Sequence, residues 1–131
     1  KNSKAMMDAN KQAEPEEPKI DLLPEITIDD FAKVDIRVGK VLEGKPHPDA
    51  KKLLMFTIDT GDKKRSIVSG IANDYDPRDL VGKNVLVVCN LKPVKLRGIL
   101  SEGMILAGED KQGKLYVIEA SLGMKPGDKI S

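Results

Sequence analysis

The sequence predicts a mainly β fold, a small closed barrel of five strands with one short helix between the third and fourth strands. Segments with apolar residues at period two, or short continuous apolar runs, recur from residue 34 to residue 118. Glycine, proline and aspartate separate these segments, as they do in turns. One separation, Asp76-Pro77, instead has the residues that begin a helix. This order of elements is typical of the OB-fold; the SH3-like barrel, which usually lacks the helix, is the alternative.

The first predicted strand begins near Val34, where apolar residues alternate with polar ones through Val38. A short turn capped by Thr27 is predicted before it. The parity of the apolar residues changes after Gly39, so we expect a bulge or a sharp bend at this glycine. Residues 43–52 contain a glycine and two prolines and are predicted to form a loop.

The remaining elements follow from the same patterns. The other main strands are predicted at residues 53–59, 64–71, 85–89 and 103–107, with a short C-terminal extension at 115–118. Gly61 is expected to have a positive φ in the turn between the second and third strands. The helix is predicted to begin at Asp76 and to end at Gly82. Residues 92–98 are predicted to form the loop between the fourth and fifth strands.

Composition indicates a single domain with a tail. The chain has 131 residues, of which 40% are hydrophobic and 33% charged, enough to bury one core. Residues 1–25 are predicted to be a linker or tail, and residues 26–131 the barrel domain. No apolar run approaches the roughly 18 residues that cross a membrane, so we expect no membrane association. The single cysteine, Cys89, is predicted to be a buried, reduced thiol, which fits a cytoplasmic protein.

Basic charge is concentrated in two predicted loops, although the net charge is only +1. OB-folds bind oligonucleotides through the loops between strands one and two and between strands four and five. The relevant basic residues are Lys45, Lys51 and Lys52 in the first loop, Lys92, Lys95 and Arg97 in the second, and Arg37 and Lys40 on the first strand. No acidic residue occurs between Leu80 and Ser101. Because the fold would bring both loops together, we expect a nucleic-acid surface there, although an ordinary charged surface would also contain scattered lysines.

Residues around the second loop supply further contacts for a ligand. Pro93 restricts the backbone, so the loop would lose less entropy on binding. The guanidinium of Arg97 can form a fork on a phosphate, and the hydroxyl of Ser101 can bond a phosphate or a ribose. Met104 is predicted either to pack against a base or a sugar or to lie in the core.

Aromatic content limits the class of nucleic acid. The chain has only Phe31, Phe56, Tyr75 and Tyr116, and no tryptophan. Phe56 is expected in the core, and only Tyr75 is predicted to reach a ligand, which is too little to stack several bases. A folded RNA that is recognised through its shape, its phosphates and its 2′-hydroxyls is therefore favoured over single-stranded DNA.

No catalytic, metal or cofactor site is predicted. His47, the only histidine, lies in a loop without a nucleophile or a second ligand at metal spacing. Glycine-rich phosphate-binding motifs are absent, and Asp35, Asp49 and Asp59 are isolated in the sequence. We therefore expect a binding module without a small-molecule substrate, and not an enzyme.

Four blocks of the sequence resemble one protein family. They are residues 28–41 (IDDFAKVDIRVGKV), the His-Pro block at 47–53, SGIA at 69–72, and NLKPVKLRGILSEGM at 90–104. From about residue 26 to the end, the chain resembles the tRNA-binding domain at the C-terminus of bacterial methionyl-tRNA synthetases. The family usually has an acid where this chain has Lys51, which makes the loop more basic.

The resemblance implies an OB-fold that grips the outer corner of tRNA without reading the anticodon. It places the tRNA contacts on Lys33, Arg37, Lys92, Lys95, Arg97, Ser101 and Met104, and the charge pattern adds Lys40 and Lys52. It also implies a homodimer, as in bacterial members without an additional C-terminal module. The synthetase catalytic signatures HIGH and KMSKS are absent from the chain, so we expect no aminoacylation by it.

Two roles for such a module remain open at this stage. One is an appendix of methionyl-tRNA synthetase, or a free-standing tRNA-binding protein, that raises the local concentration of tRNA. The other is a peptide-binding chaperone of the secretion-chaperone type on the same fold, for which an exposed apolar groove would be the sign.

Overall fold

The computed structural model describes residues 20–131, so most of the predicted tail of residues 1–25 lies outside the described residues. Residues 20–25 form neither helix nor strand and are exposed. The first element is α1 (Ile28–Phe31), a single turn. Its N-cap, Thr27, exchanges hydrogen bonds with Asp30 in a capping box, as a Thr at this position does when an acid follows three residues later. The predicted capped turn is confirmed.

Strands form most of the regular structure of residues 20–131. They are β1 (Ile36–Pro46), β2 (Leu54–Asp59), β3 (Lys64–Ser69), β4 (Asn84–Val88), β5 (Val94–Leu96), β6 (Ile99–Ser101), β7 (Met104–Ile105), β8 (Ala107–Glu109), β9 (Leu115–Val117) and β10 (Lys129–Ile130). The fold is therefore mainly β with little helix, as predicted, but its strands are more numerous than the expected five. Between β3 and β4 lies a 3₁₀ helix at Pro77–Asp79, and not an α-helix that reaches Gly82.

The central sheet is antiparallel and curls back on itself. Its strand order is β3-β2-β1-β4-β7, with β10 beside the beginning of β1. The two ends of this order meet, because the Glu102 N–H donates to the Ser66 carbonyl at 2.8 Å and the Val68 N–H donates to Ser101 Oγ at 3.0 Å. The pairs β5–β6 and β8–β9 form two small additional sheets.

The core lies inside the curled sheet. Along β2, buried and partly buried residues alternate, and Leu54, Phe56 and Ile58 face inward. This is the period-two pattern that the sequence predicted for residues 53–59. Ile67 from β3 and Val87 from β4 belong to the same cluster of buried side chains. Burial of an aromatic side chain such as Phe56 contributes about 2 to 3 kcal/mol to folding.

The first strand differs from the prediction in two respects. It continues to Pro46, through residues that were predicted to form a loop, and pairs with β2 as far as Pro46 opposite Leu54. The register shift lies between Val41 and Glu43, so the bulge predicted at Gly39 is wrong. The glycine is required for space: a Cβ there would lie 2.6 Å from a methyl carbon of Ile58.

The apparent change of parity in β1 has another cause. Val41 belongs to the interior cluster, whereas Ile36 and Val38 are buried outside it. At the edge of this part of β1, β10 pairs with the strand, and the Val38 N–H donates to the Asp128 carbonyl at 2.9 Å. Buried apolar residues of β1 therefore occur inside and outside the interior cluster.

The predicted turn and helix start are otherwise confirmed. Gly61 has φ of 90°, as predicted for its turn, whereas Gly82, with φ of 88°, lies in a turn beyond the 3₁₀ helix and does not end it. Asp76 caps the 3₁₀ helix by accepting a hydrogen bond from the Arg78 N–H, and Pro77 occupies the first turn.

Candidate nucleic-acid interface

The predicted second basic loop is a β-hairpin for most of its length. The β5–β6 ladder ends at Leu96 opposite Ile99, so Arg97 and Gly98 form a two-residue turn. Their φ angles are 51° and 88°. Two successive positive φ angles characterise the type I′ turn, in which Asn, Asp or Gly normally stands at the first position. Arg97 therefore occupies a left-handed backbone conformation that disfavours its side chain. We call residues 92–101 the basic hairpin.

The basic hairpin lies against the connection between β1 and β2, residues 47–53, which we call the basic loop. His47 is only 5% exposed, and its Nε2 lies 3.2 Å from the Leu96 carbonyl. Arg97 Nη2 donates to the Asp49 carbonyl at 3.1 Å. The structure thus brings the two basic segments together, as the fold class predicted. Sequence reasoning had left His47 without a role.

The cations of these two segments are not neutralised internally. Among residues 20–131, no ion pair within 4 Å involves Lys52, Lys92, Lys95 or Arg97, and all four are exposed. When such cations neutralise the phosphates of a nucleic acid, they release the counterions condensed on its backbone, so their contribution to binding falls as the salt concentration rises. The surface therefore suits a polyanion.

Lys33 and Arg37 lie near the base of the basic hairpin. Asn90, two residues before Lys92, donates to the Lys33 carbonyl at 2.6 Å and accepts from the Asp35 N–H at 2.9 Å. These bonds fix the start of the domain beside the residues that lead into the hairpin. The ammonium of Lys33 is 3.8 Å from Asp30 and exposed, so this ion pair leaves it free to contact a ligand.

Arg37 has a more constrained environment. Its Nε donates to Asp35 Oδ1 at 2.7 Å and its Nη1 donates to the Gly127 carbonyl at 3.2 Å. The hydrogen bond from Arg37 lowers the pKa of Asp35, and the charges of Arg37 and Lys129 act in the same direction. Arg37 lines an open cleft of about 520 Å³ together with Arg65. Part of its guanidinium is thus used within the protein.

Lys40 is exposed but is not brought to the basic hairpin. In the sheet register it lies opposite Asp59 on β2 and Asn84 on β4. Asn84 is the first residue of β4, whereas β7, which follows the hairpin, pairs with the last residues of that strand.

Ser101 and Met104 have opposite exposures. Ser101 is 3% exposed, and its hydroxyl accepts from the Val68 N–H at 3.0 Å and donates to the Gly103 carbonyl at 3.1 Å. The hydroxyl helps to close the sheet and is not free for a ligand. Met104 is 46% exposed on β7, so of the two predictions for it, the core position is wrong.

Aromatic side chains offer little stacking surface. Phe56 is buried in the core, as predicted. Tyr75 packs against the core, and its hydroxyl accepts from the Val117 N–H at 2.9 Å, so the prediction that it reaches a ligand is wrong. The exposed aromatics of the described chain are Phe31 and Tyr116, and the Lys114 ammonium lies 5.3 Å from the centre of the Tyr116 ring.

Metal-binding groups do not cluster in the described residues. Within 20–131, no group of three or more His, Cys, Asp or Glu side chains could hold a metal ion. Cys89 is half-buried, not fully buried as predicted, and burial raises its pKa, which favours the neutral thiol. In the same part of the chain, no helix is long and apolar enough to cross a membrane.

Comparison with known proteins gives the family context. Residues 36–129 match the family described as "Putative tRNA binding domain". Over 123 residues the chain is 50% identical to the methionine–tRNA ligase of Bacillus subtilis. The aligned residues are 93% of this chain and 18% of that protein. The methionine–tRNA ligase of Methanocaldococcus jannaschii is 51% identical over 108 residues, 82% of this chain and 17% of that protein. The chain thus spans less than a fifth of these curated relatives.

Solved structures with the same fold include two small proteins. A MetRS related protein from Pyrococcus horikoshii has a TM-score of 0.80 at 34% identity, and the match covers 83% of this chain and 100% of that one. The chaperone CsaA from Bacillus anthracis has a TM-score of 0.75 at 27% identity, covering 82% of this chain and all of that one, 100%.

Proposed function

Because this chain belongs to the tRNA-binding domain family that its residues 36–129 match, we propose that it binds folded tRNA through the basic hairpin and the basic loop. One observation carries the proposal: His47 and Arg97 join two sequence-distant segments whose lysines and arginine form no ion pair with an acid of residues 20–131. Phosphate contacts of this kind position a nucleic acid without reading its sequence. With few exposed aromatics to stack on bases, the module would accept many tRNAs.

The proposed contact set follows exposure and position. It consists of Lys33, Arg37, Lys52, Lys92, Lys95, Arg97 and Met104. Ser101 is omitted because its hydroxyl is used inside the sheet. Lys40 is a peripheral contact at most, since the register separates it from the hairpin. Met104 contributes an exposed apolar surface next to the cations.

We assign the architecture to the OB-fold as part of this proposal. The curled antiparallel sheet, in which β1 pairs with both β2 and β4, supports the assignment. The hydrogen bond that closes the sheet between β3 and the end of β6 also supports the assignment to the OB-fold. In such barrels the basic loop and the basic hairpin would be the two loops that commonly hold oligonucleotides.

Within a methionyl-tRNA synthetase, the domain would act by tethering. The identity of about 50% to part of such ligases supports this role. A weak tRNA binder attached to a catalytic body raises the effective concentration of tRNA there without new catalytic groups. The chain itself would not aminoacylate. A cytoplasmic location belongs to the same proposal and is supported by the reduced thiol of Cys89.

A homodimer is also part of the proposal. At the beginning of the described chain, Ile20, Leu22, Leu23, Ile26 and Ile28 are between 63% and 89% exposed. Several exposed apolar side chains within one short segment are typical of an interaction surface. A second copy of the chain would cover them. Sedimentation equilibrium should therefore give twice the monomer mass, and replacement of Leu22 and Leu23 by Asp should give the monomer. A wild-type monomer at tens of micromolar would contradict the dimer.

Peptide binding is the second candidate function. The similarity to the chaperone CsaA supports it. So does the exposure of three apolar side chains in or beside the basic hairpin, Val94, Leu100 and Met104, between 44% and 53%. This binding would bury apolar surface and would depend little on salt.

Equilibrium binding across a salt series tests the proposal. The probe is an unfractionated tRNA pool, with single-stranded DNA and an unfolded protein as comparison ligands. We expect tRNA binding whose log K falls with log salt by about 0.7 to 0.9 per phosphate contact. Lys95→Ala and Arg97→Ala should each weaken it, whereas Lys111→Ala, on the turn between β8 and β9, should not. Salt-insensitive binding of the unfolded protein instead of tRNA would favour the chaperone function. A strong preference for one tRNA would contradict recognition by shape.

A further inference from the structure

The buried histidine between the two basic segments uses both ring nitrogens. Nδ1 of His47 accepts a hydrogen bond from the Asp49 N–H at 2.9 Å. A nitrogen that accepts carries no proton, so the single proton of the neutral ring is on Nε2. Nε2 therefore donates to the Leu96 carbonyl at 3.2 Å. We call this pair of hydrogen bonds the His47 bridge.

The His47 bridge connects the basic loop with the basic hairpin next to the turn at the hairpin's tip. Leu96 is the last residue of β5, directly before the strained Arg97. Asp49 in the basic loop is held twice: its N–H donates to His47, and its carbonyl accepts from Arg97. The hairpin is a sheet of only two strands with three residues each, and its end at Ser101 is held to Val68 on β3. Two-stranded hairpins are marginally stable by themselves in water, so the tip of this hairpin needs a further attachment to hold one orientation.

On the basis of the proposed tRNA binding, we propose that His47 is a positioning residue that fixes the basic hairpin relative to the basic loop, so that both engage one folded RNA together. The side chain is 5% exposed and does not contact the ligand itself. Its effect is entropic: a surface that is rigid before binding loses less freedom on binding. Without the bridge, the lysines and arginine would still be present, but only the exposed hydrogen bond from Arg97 to the Asp49 carbonyl would connect the hairpin with the basic loop.

Two substitutions separate the two hydrogen bonds. In His47→Asn, the amide oxygen can replace Nδ1 and keep the Asp49 bond, but the side chain is too short to reach Leu96. In His47→Gln, the longer side chain can place its amide nitrogen where Nε2 lies and keep the Leu96 bond. If the link to the hairpin is what matters, Gln should preserve tRNA affinity within about twofold, while Asn should lower it by about five- to tenfold.

Thr60→Val is the matched control. Thr60 is a buried polar residue, 2% exposed, at the opposite end of β2 from the basic loop. Its loss should lower the thermal midpoint and leave tRNA affinity unchanged. If His47→Asn lowered only the thermal midpoint, as this control does, the residue would have a structural role alone and the proposal would be overturned.

A double-mutant cycle identifies the route of the effect. In a Lys92→Ala, Lys95→Ala, Arg97→Ala background the hairpin no longer carries its cations, so the loss caused by His47→Asn should shrink to under about twofold. A loss of unchanged size would show that His47 acts elsewhere and would overturn the proposal.

Amide hydrogen exchange decides the proposal independently of any RNA. In the His47→Asn protein, exchange across residues 94–101 should accelerate by about tenfold while β2 and β4 stay protected; His47→Gln should remain close to wild type. Unchanged exchange in the hairpin of the Asn variant would refute the bridge. Failure of the wild-type protein to bind the tRNA pool would refute the proposed function, and the exchange result would still decide whether His47 holds the hairpin.

Discussion

Arg97 combines an unfavourable backbone conformation with a proposed role in binding, and Arg97→Asn separates the two. An arginine at φ of 51° carries a strain that asparagine tolerates at this turn position, and relief of that strain should stabilise the protein by about 1 kcal/mol. The lost hydrogen bond to the Asp49 carbonyl, which is exposed, offsets about 0.5 kcal/mol of this gain. The variant should therefore be more stable than the wild type by about 0.5 kcal/mol.

The same substitution should weaken tRNA binding. A hydrogen bond from a charged group contributes about 1.5 kcal/mol, which corresponds to roughly a tenfold loss of affinity. Removal of one phosphate contact should also reduce the slope of log K against log salt by about 0.7 to 0.9. Stability and affinity would thus change in opposite directions, as expected where a strained residue is kept for function.

Urea denaturation and tRNA titration on the same preparations provide the assay. Lys111→Asn is the charge-matched control, because Lys111 is exposed and lies outside both basic segments. A variant that loses more than about 1 kcal/mol of stability would show that Arg97 is structural and that strain relief is the wrong description. Unchanged affinity would remove Arg97 from the interface.

Three further predictions concern the fold and its titrating groups. Hydrogen bonds lower the pKa values of the Asp35 and Glu102 carboxyl groups, and lower that of Asp76 to about 2. These three carboxylates therefore contribute fully to the stability of the fold above the unfolded carboxylate pKa of about 4. The contribution is lost as the pH falls through their lower pKa values in the folded protein. Denaturation at several pH values should show this decline, and a rise in stability from pH 5 to pH 3 would contradict it. Cys89, whose pKa burial raises, should react with iodoacetamide at pH 7 more slowly than a free cysteine, and equal rates would show an accessible thiolate. Phe56→Ala should cost about 3 to 5 kcal/mol by thermal denaturation, and a loss under 1 kcal/mol would place the ring outside the core.

Local signals predicted much of the fold. The alternation of β2, the glycine turn at Gly61 and the cap at Asp76 all depend on neighbouring residues, so a linear pattern contains them. The meeting of the two basic segments followed from the predicted fold class, because the OB-fold that the sequence predicts would place those connections side by side.

Other features depend on contacts that no local pattern records. β1 extends to Pro46 although a proline has no N–H to donate. The missing N–H is tolerated because Pro46 stands at the very end of the strand. The hairpin turn was not recognised because arginine stands where asparagine would signal a type I′ turn. The hydroxyl of Tyr75 finds its partner on β9, 42 residues away, and this cannot be read from composition.

The pairing of β10 with β1 has a consequence for the order of events during protein synthesis. Ile36 and Arg37 lie between Val88 on one side and the residues of β10 on the other, and Gly127 donates to and accepts from this same stretch. The first strand therefore cannot acquire all its neighbours until residue 130 has left the ribosome. Contacts this far apart in sequence form slowly because a long loop must close first. A nascent chain that halts before residue 127 would leave the edge of β1 open and Arg37 without its hydrogen bond to the Gly127 carbonyl.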